Sequence, residues 1–409
     1  MHREALVSWR KREGNGGSGT SYTLHKLGKA LAAQGKWSQA EIVYREELAF
    51  RRKQARDDDP DTLYALRDLG ITLEFEGRWA EAEIVHQESL ASWRKRAGND
   101  DPQTLYTMDK LGWTLEAQGK WSEAESAYRE ALVSRRKGAG TDDSQTLSEF
   151  ESLTRVLMRQ KKLGETEQLL EEALTPAIVR QPSSCNLLIR RFDLMGRQGR
   201  WQEAAATATL VVEYQPTDQF RYHTLAALLA ITRNRPAYET FCRKILATFT
   251  NTSDPYIDER ITKDCLFLPD SGVDLEFVDN LADKSVSLGS DHPEALPYFQ
   301  AAKAMSAYRL GRFAESIEWA EKTLKSSIIY PNAHAYAILA MAHWKLGQKD
   351  VARVMIDKGD LLTPNISPSD ERVDLGDSWV AWLVARISLD EATALIQPAS
   401  KTDSNSQEP

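Results

Sequence analysis

Residues 59–95 read DPDTLYALRDLGITLEFEGRWAEAEIVHQESLASWRK, and residues 101–137 read DPQTLYTMDKLGWTLEAQGKWSEAESAYREALVSRRK, the same register 42 positions on. The spacing runs through the flanking chain. Gly28, Gly70 and Gly112 are 42 apart, as are Trp37, Trp79 and Trp121, Ala40, Ala82 and Ala124, and Leu6, Leu48, Leu90, Leu132 and Leu174. Self-similarity at a fixed period of this size marks a protein of stacked repeats. Within one period, Leu66, Leu69 and Leu73 recur at helical spacing behind Asp59 and Pro60, an N-cap residue and a first-turn proline. Gly77 marks a turn, and Trp79, Ala82, Val85 and Leu90 form the apolar stripe of a second helix. Gly70 and Ala82 are placed where the paired helices approach most closely, since a larger side chain would force them apart. One helix pair cannot cover its own apolar faces, so it must stack on its neighbours. The expected fold is all-α, a solenoid of stacked helix-turn-helix units.

The residues carrying this reading also resemble a known family. GKWSEAE at Gly119 to Glu125, with Leu111, Gly112 and Leu115 before it and Tyr128 and Leu132 after it, is similar to the tetratricopeptide repeat (TPR). Its 42-residue form resembles the repeats of kinesin light chains and their bacterial relatives, over about residues 18 to 174. The resemblance implies a right-handed superhelix whose first helices line a concave groove for peptides or protein segments. In the second half, GRWQEAAA at Gly199, GRFAESIE at Gly311 and GQKDVARV at Gly347 repeat the turn and second helix at a shorter period, with a weaker unit at Ile231. DERITKDCLFLP at Asp258 to Pro269, Leu296 to Leu324, and WVAWLVARISLDEATALI at Trp379 to Ile396, with Trp382, Leu383, Glu391 and Ala392, resemble the C-terminal TPR regions of planctomycete and verrucomicrobial serine/threonine protein kinases.

The repeats set the expected organisation. Residues 1–174 form the 42-residue array, with half a repeat at the start, full repeats at about 18–59, 60–101 and 102–143, and a degenerate fourth. In the fourth, Thr154 replaces the glycine and Leu163 the tryptophan, so looser or rearranged packing is expected. Residues 175–184 read as a connector, 185–362 as shorter divergent TPR-like repeats, 363–378 as a loop, 379–398 as a C-terminal helical cap and 399–409 as a disordered tail. HREALVSWRK at His2 to Lys11 aligns with YREALVSRRK at Tyr128 to Lys137, so Met1 falls inside a second helix whose first helix is missing. The chain thus reads as the C-terminal part of something longer or as one with a misassigned start, and self-association through the half-repeat is an expectation.

Composition narrows the function classes. Charged residues are 27% and apolar ones 42%, with no long apolar run and no signal-peptide core, so a soluble cytoplasmic protein without membrane insertion is expected. A net charge of −8 argues against general nucleic-acid binding. Cys185, Cys242 and Cys265 lie far apart without metal-ligand spacing and read as buried reduced thiols. Gly14, Gly16 and Gly19 match GxGxxG but fall in an inter-repeat loop with no preceding strand. The kinase lysine, HRD and DFG motifs are missing, as are HExxH and GxSxG. His334 and His343 are nine apart on one helix, too distant to share a metal, and His86 takes the place of Tyr44 and Tyr128 as a packing residue. No catalytic centre, metal or cofactor is expected.

Binding residues are sought on the first helices: Tyr22, His25 and Lys29; Tyr64, Arg67, Ile71 and Glu74; Tyr106, Asp109, Trp113 and Glu116. Tyrosines every 42 residues suit a peptide-binding ladder, and they equally suit packing between repeats. Where the kinesin-like consensus has an Asn-Asn pair, this chain has His25 and Lys26, Arg67 and Asp68, and Asp109 and Lys110. Second helices end in basic clusters: Arg10 to Arg12, Arg51 to Lys53, Arg94 to Arg96 and Arg135 to Lys137. These read either as a cationic ridge or as cations complementing helix dipoles and neutralised by the acidic loops just beyond them. The function this supports is a non-catalytic scaffold binding a partner segment in the concave groove. The alternatives are the regulatory or docking arm of a serine/threonine kinase whose catalytic domain is absent, and the sensory arm of an ATP-hydrolysing transcription regulator.

Overall fold

The structure, a computed structural model, describes residues 18–54, 59–249, 252–364 and 374–397. The half-repeat at residues 1–17 and the tail from residue 398 lie outside them. The chain divides into two compact units, one through Leu187 and one from Leu188. Every regular element described is helical.

The first unit holds α1 (Ser18–Ala32), α2 (Trp37–Gln54), α3 (Pro60–Phe75), α4 (Trp79–Ala97), α5 (Pro102–Ala117), α6 (Trp121–Ala139), α7 (Ser144–Arg159), α8 (Leu163–Ala173) and the short α9 (Pro176–Val179). Successive pairs form hairpins, and the second helix of each packs on the first helix of the next. The connector at 175–184 thus contains α9 and a single 3-10 turn at Pro182–Ser184. Asp101 caps α5 by accepting from the amides of Gln103 and Thr104, whereas Asp59 takes the same place before α3 without a side-chain bond, and Pro60 alone presets that first turn.

Gly77 has φ of +73°, and the amide of Arg78 donates to Leu73 at 2.9 Å while that of Gly77 donates to Glu74 at 3.0 Å. This is the paired closure that ends a helix through a left-handed residue. The fourth repeat makes the same turn on Lys161, at φ +60°, which costs about 1–2 kcal/mol relative to glycine. A Cβ added to Gly70 would lie 2.4 Å from the His86 ring, and one on Gly28 or Gly112 would lie 2.5 or 2.7 Å from Tyr44 or Tyr128. Each glycine makes room for the ring 16 residues on. Thr154, in the glycine's place, is fully buried with its hydroxyl on the Phe150 carbonyl at 2.7 Å, and Leu170 replaces the ring.

One expectation is corrected here. Trp79 does not join the core stripe of its helix. Half-buried, it meets Trp113 of the next repeat edge-on at 5.2 Å, as Trp37 stacks on Phe75 at 4.2 Å. In the described basic clusters, Lys137 meets the loop acid Asp100 at 3.0 Å and Arg51 meets Asp61 at 2.9 Å, and further arginines of the second helices pair between repeats. Arg45 pairs with Glu81 at 3.1 Å, Arg94 with Glu130 at 2.6 Å and Arg129 with Glu165 at 2.5 Å, while Arg52 meets Glu88 and Arg136 meets Glu172. Every one of these acids lies 36 residues on, on the second helix of the following repeat. Exposed pairs of this kind contribute about 0–1 kcal/mol each.

The second unit continues with α10 (Cys185–Arg197), α11 (Trp201–Tyr214), α12 (Gln219–Ile231), α13 (Arg235–Phe249), α14 (Pro255–Leu266), α15 (Leu275–Leu288), α16 (Leu296–Arg309), α17 (Phe313–Thr323), α18 (Ile329–Lys345), α19 (Lys349–Leu362) and α20 (Trp379–Ile396). First helices α12, α14, α16 and α18 pack side by side. Helix α20, expected to cap the end of the stack, packs on α18 and α19 and also reaches back to α12, so it lies across that row. Trp379 meets Phe192 and Trp201 at 6.4 and 6.2 Å, where a Cβ on Gly196 would come within 2.6 Å of its ring. The Arg309 guanidinium, almost fully buried, donates to Glu391 at 2.6 Å and to the Leu266 carbonyl at 2.9 Å. Arg197 grips Asp374 through two bonds of 2.7 and 2.8 Å just before α20 begins. All three cysteines are buried and none is in a disulfide.

Candidate functional site

Positions 22, 64 and 106 fall on equivalent turns of α1, α3 and α5, so a side chain on one inner face recurs from helix to helix. A basin of about 680 Å³ opens on this face of the first unit, with Lys29, Arg67, Ile71, Tyr106 and Asp109 among its walls. These five of the expected residues are brought together. Tyr64 adjoins them: the Arg67 guanidinium stands 5.0 Å from its ring centre and 6.0 Å from that of Tyr106. Tyr64 also tilts against Trp93 at 5.7 Å, so it packs and lines at once. Trp113 is exposed, with Lys110 5.5 Å above it and 5.8 Å from Tyr106. Tyr22 is exposed at the start of the row with Lys26 at 5.4 Å. The resulting succession alternates cations with aromatic faces, an arrangement worth about 0.5–2 kcal/mol per contact.

Three expected residues are placed differently. His25 is mostly covered, 3.4 Å from Glu47 and 3.8 Å from Asp68, with its ring edge-on to Tyr44. Glu74 does not face the groove. It is buried, 2.9 Å from both His86 Nε2 and the Thr114 hydroxyl, with the Lys110 ammonium at 3.8 Å. Glu116 accepts from the Tyr128 hydroxyl at 2.7 Å and from Arg155 through two bonds of 2.9 Å. Near the end of a first helix, a side chain points at the next repeat rather than into the open face. These carboxylates fasten repeats together.

The sequence reading missed the floor of the basin. Arg135, at the end of α6, is buried and donates to Asp109 at 2.6 Å and to Glu149 at 3.1 Å. Burial first, then the neighbouring Asp109 carboxylate, push the Glu149 pKa up to about 9, so its carboxyl keeps a proton at neutral pH. Asp68 is held by Arg67 at 2.9 Å. The repeat itself carries a signal for this cluster: Arg135 stands where the preceding repeat has Trp93, and Glu149 where it has Thr107. An arginine and a glutamate introduced at core positions of adjacent repeats point to each other. With Asp68 and Asp109 bound to cations, the open face is left cationic, since Lys26 and Lys29 are exposed and have no acidic partner among the described residues.

The class defined by this fold and face is the helical-repeat interaction scaffold. Residues 23–58, 54–137 and 301–354 match models of the tetratricopeptide repeat, so both units carry such repeats. Arrays of this kind generally serve as non-catalytic surfaces for protein or peptide partners. No curated protein matches the sequence. Among solved structures, a Podosopora anserina protein described as a kinesin light chain with nearly identical TPR-like repeats is 19% identical, with 47% of this chain and 94% of that one covered and a TM-score of 0.43. BtubC (BKLC) of P. vanneervenii is 18% identical over 53% of this chain and 88% of its own, at a TM-score of 0.43. A tetratricopeptide repeat protein of Parabacteroides merdae is 15% identical over 70% and 99%, at 0.44. Among the described residues, no group of three or more His, Cys, Asp or Glu could hold a metal ion, and no helix is long and apolar enough to cross a membrane.

Proposed function

We propose that the chain is a scaffold that binds an extended, acidic segment of a partner protein along α1, α3 and α5. One observation carries the reading: Lys26 beside Tyr22, Arg67 between Tyr64 and Tyr106, and Lys110 between Tyr106 and Trp113 form a row of cations over aromatic faces. Carboxylates of the segment pair with the cations, and its apolar side chains lie on the rings. Rigid stacked helices hold these groups in place, so little order is lost on the scaffold side. No bond is made or broken in this role.

The test is fluorescence anisotropy with a labelled Asp/Glu-rich peptide and a Lys-rich peptide of equal length. The acidic peptide binds in preference, and added salt weakens it. Tyr64→Ala combined with Arg67→Glu weakens it at least about tenfold. Unchanged affinity in that variant, or a preference for the basic peptide, overturns the reading.

A further inference from the structure

The second unit has an inner face of its own, and α20 packs across it. Between α20 and the row α12, α14, α16 and α18 remains a partly enclosed cavity of about 480 Å³. Its walls are mainly apolar, with Phe220, Tyr256, Tyr298, Phe299 and Tyr330 from the first helices and Val380, Ala381 and Val384 from α20. The volume is in the range of pockets that enclose small molecules, about 300–1,000 Å³, and α20 forms one wall of it.

The polar groups inside define the ligand's charge. Lys263 is nearly buried, and its ammonium has one ion-pair partner, Glu259 at 2.6 Å. An ammonium has three hydrogens to donate, so donor capacity is left over. His334 is 4% exposed and its Nε2 has no hydrogen-bond partner. Burial, with the Lys263 and Arg309 cations nearby, brings its pKa down to about 3, so the ring is neutral and carries one N–H. His223 has its Nδ1 tied to the buried Asp264 at 2.5 Å, which leaves Nε2 as the nitrogen available to the cavity. Glu259 is ion-paired with Lys263, Asp264 meets His223 through one oxygen and is not among the walls, and Glu294 and Asp377 stand exposed at the rim. A second cation, the half-buried Arg260, also lines the cavity with its guanidinium on Gln219 at 2.9 Å, so the walls hold two cations and one interior carboxylate, Glu259. With Glu259 offsetting Lys263, one positive charge is left over, which suits a monoanion.

We propose that this cavity binds a small amphipathic monocarboxylate, whose carboxylate accepts from Lys263 and His334 and whose apolar body lies between the tyrosines and α20. The site is separate from the peptide groove of the first unit, and neither depends on the other being correct.

The experiment uses the full chain and three probes with one body and different heads: 4-phenylbutyrate, 4-phenylbutylamine and 4-phenylbutanol. Binding is followed by saturation-transfer NMR and by thermal shift. The acid binds, and the amine and alcohol are at least about tenfold weaker because neither accepts two charged or polar donors as a carboxylate does. Lys263→Met, made together with Glu259→Gln so that no buried carboxylate is stranded, lowers affinity for the acid at least about tenfold. Ala381→Trp fills the cavity from α20 with every charged group kept, and abolishes binding while the protein still unfolds cooperatively. Equal or tighter binding of the amine overturns the proposal, as does acid binding that survives Ala381→Trp. A short peptide with a free C-terminal carboxylate that displaces phenylbutyrate at lower concentration also overturns it, since the occupant is then a protein terminus.

Discussion

The two units use one building element to make opposite inner faces. In the first, α1, α3 and α5 leave a cation and aromatic row open to solvent above a basin of about 680 Å³. In the second, α20 packs against the equivalent row from α12 to α18 and walls a cavity of about 480 Å³. The hairpin repeat supplies a surface, and in the second unit the helix placed after the last hairpin packs across it. That helix is held by a few long-range contacts, chiefly Arg309 with Glu391 and Trp379 on Gly196.

The largest expected effect removes that helix's anchor. Arg309→Ala leaves Glu391 without its buried partner and costs about 3 kcal/mol, at the low end for a broken buried pair because Glu391 is itself partly solvated. Hydrogen exchange in α20 should accelerate before that of α14 or α16, and equal protection in the variant and the parent would show that α20 is held by other means. In the first unit, Glu74→Ala leaves the buried His86 Nε2 without a partner and costs about 2 kcal/mol, while the Thr114 hydroxyl keeps its bond to the Lys110 carbonyl. Thermal unfolding measures it, and a loss of a few tenths, as at an exposed glutamate, would return Glu74 to the groove. Third comes the groove itself. Lys29→Glu alone should weaken the acidic peptide about threefold to tenfold, with no change in stability, since the side chain is exposed and has no acidic partner among the described residues.

The last test concerns pH. Glu149 has its folded pKa raised from the ordinary 4.5 to about 9, so between those values the folded state holds a proton that the unfolded state has lost. Its contribution is complete below pH 4.5 and is lost as pH rises toward 9. Glu149→Gln keeps the neutral form, so denaturant midpoints of variant and parent should agree near pH 5 and diverge in the variant's favour near pH 9. A constant difference across that range would mean that Glu149 is ionised in the fold.

Much of the fold could be read from residues alone because each repeat encodes its own geometry. Gly70 and Ala82 announced the close approach, and the structure shows the His86 ring and a fully buried alanine there. The turn glycines at 77, 199, 311 and 347 all have positive φ. Where a contact spans repeats, the local pattern was silent. Glu74 and Lys29 both stood on first-helix positions of the inner face, yet one binds Thr114 of the next repeat and the other faces solvent. The partners of Arg45 and Arg94 were invisible because their acids lie a repeat away. Helix α20 carries the same limitation further. Its apolar sequence called for burial, but nothing near residue 391 names Arg309, 82 positions earlier, as its anchor. The basin floor was legible only by comparing repeats, through Arg135 in the place of Trp93.

The contrast between the open face and the face that α20 crosses is tested most directly by hydrogen–deuterium exchange on the full chain with and without a saturating Asp/Glu-rich peptide. The account predicts new protection along residues 18–32, 60–75 and 102–117 and none at 255–266, 296–309 or 379–396. Protection confined to the second unit, or displacement of α20 by the peptide, would contradict it.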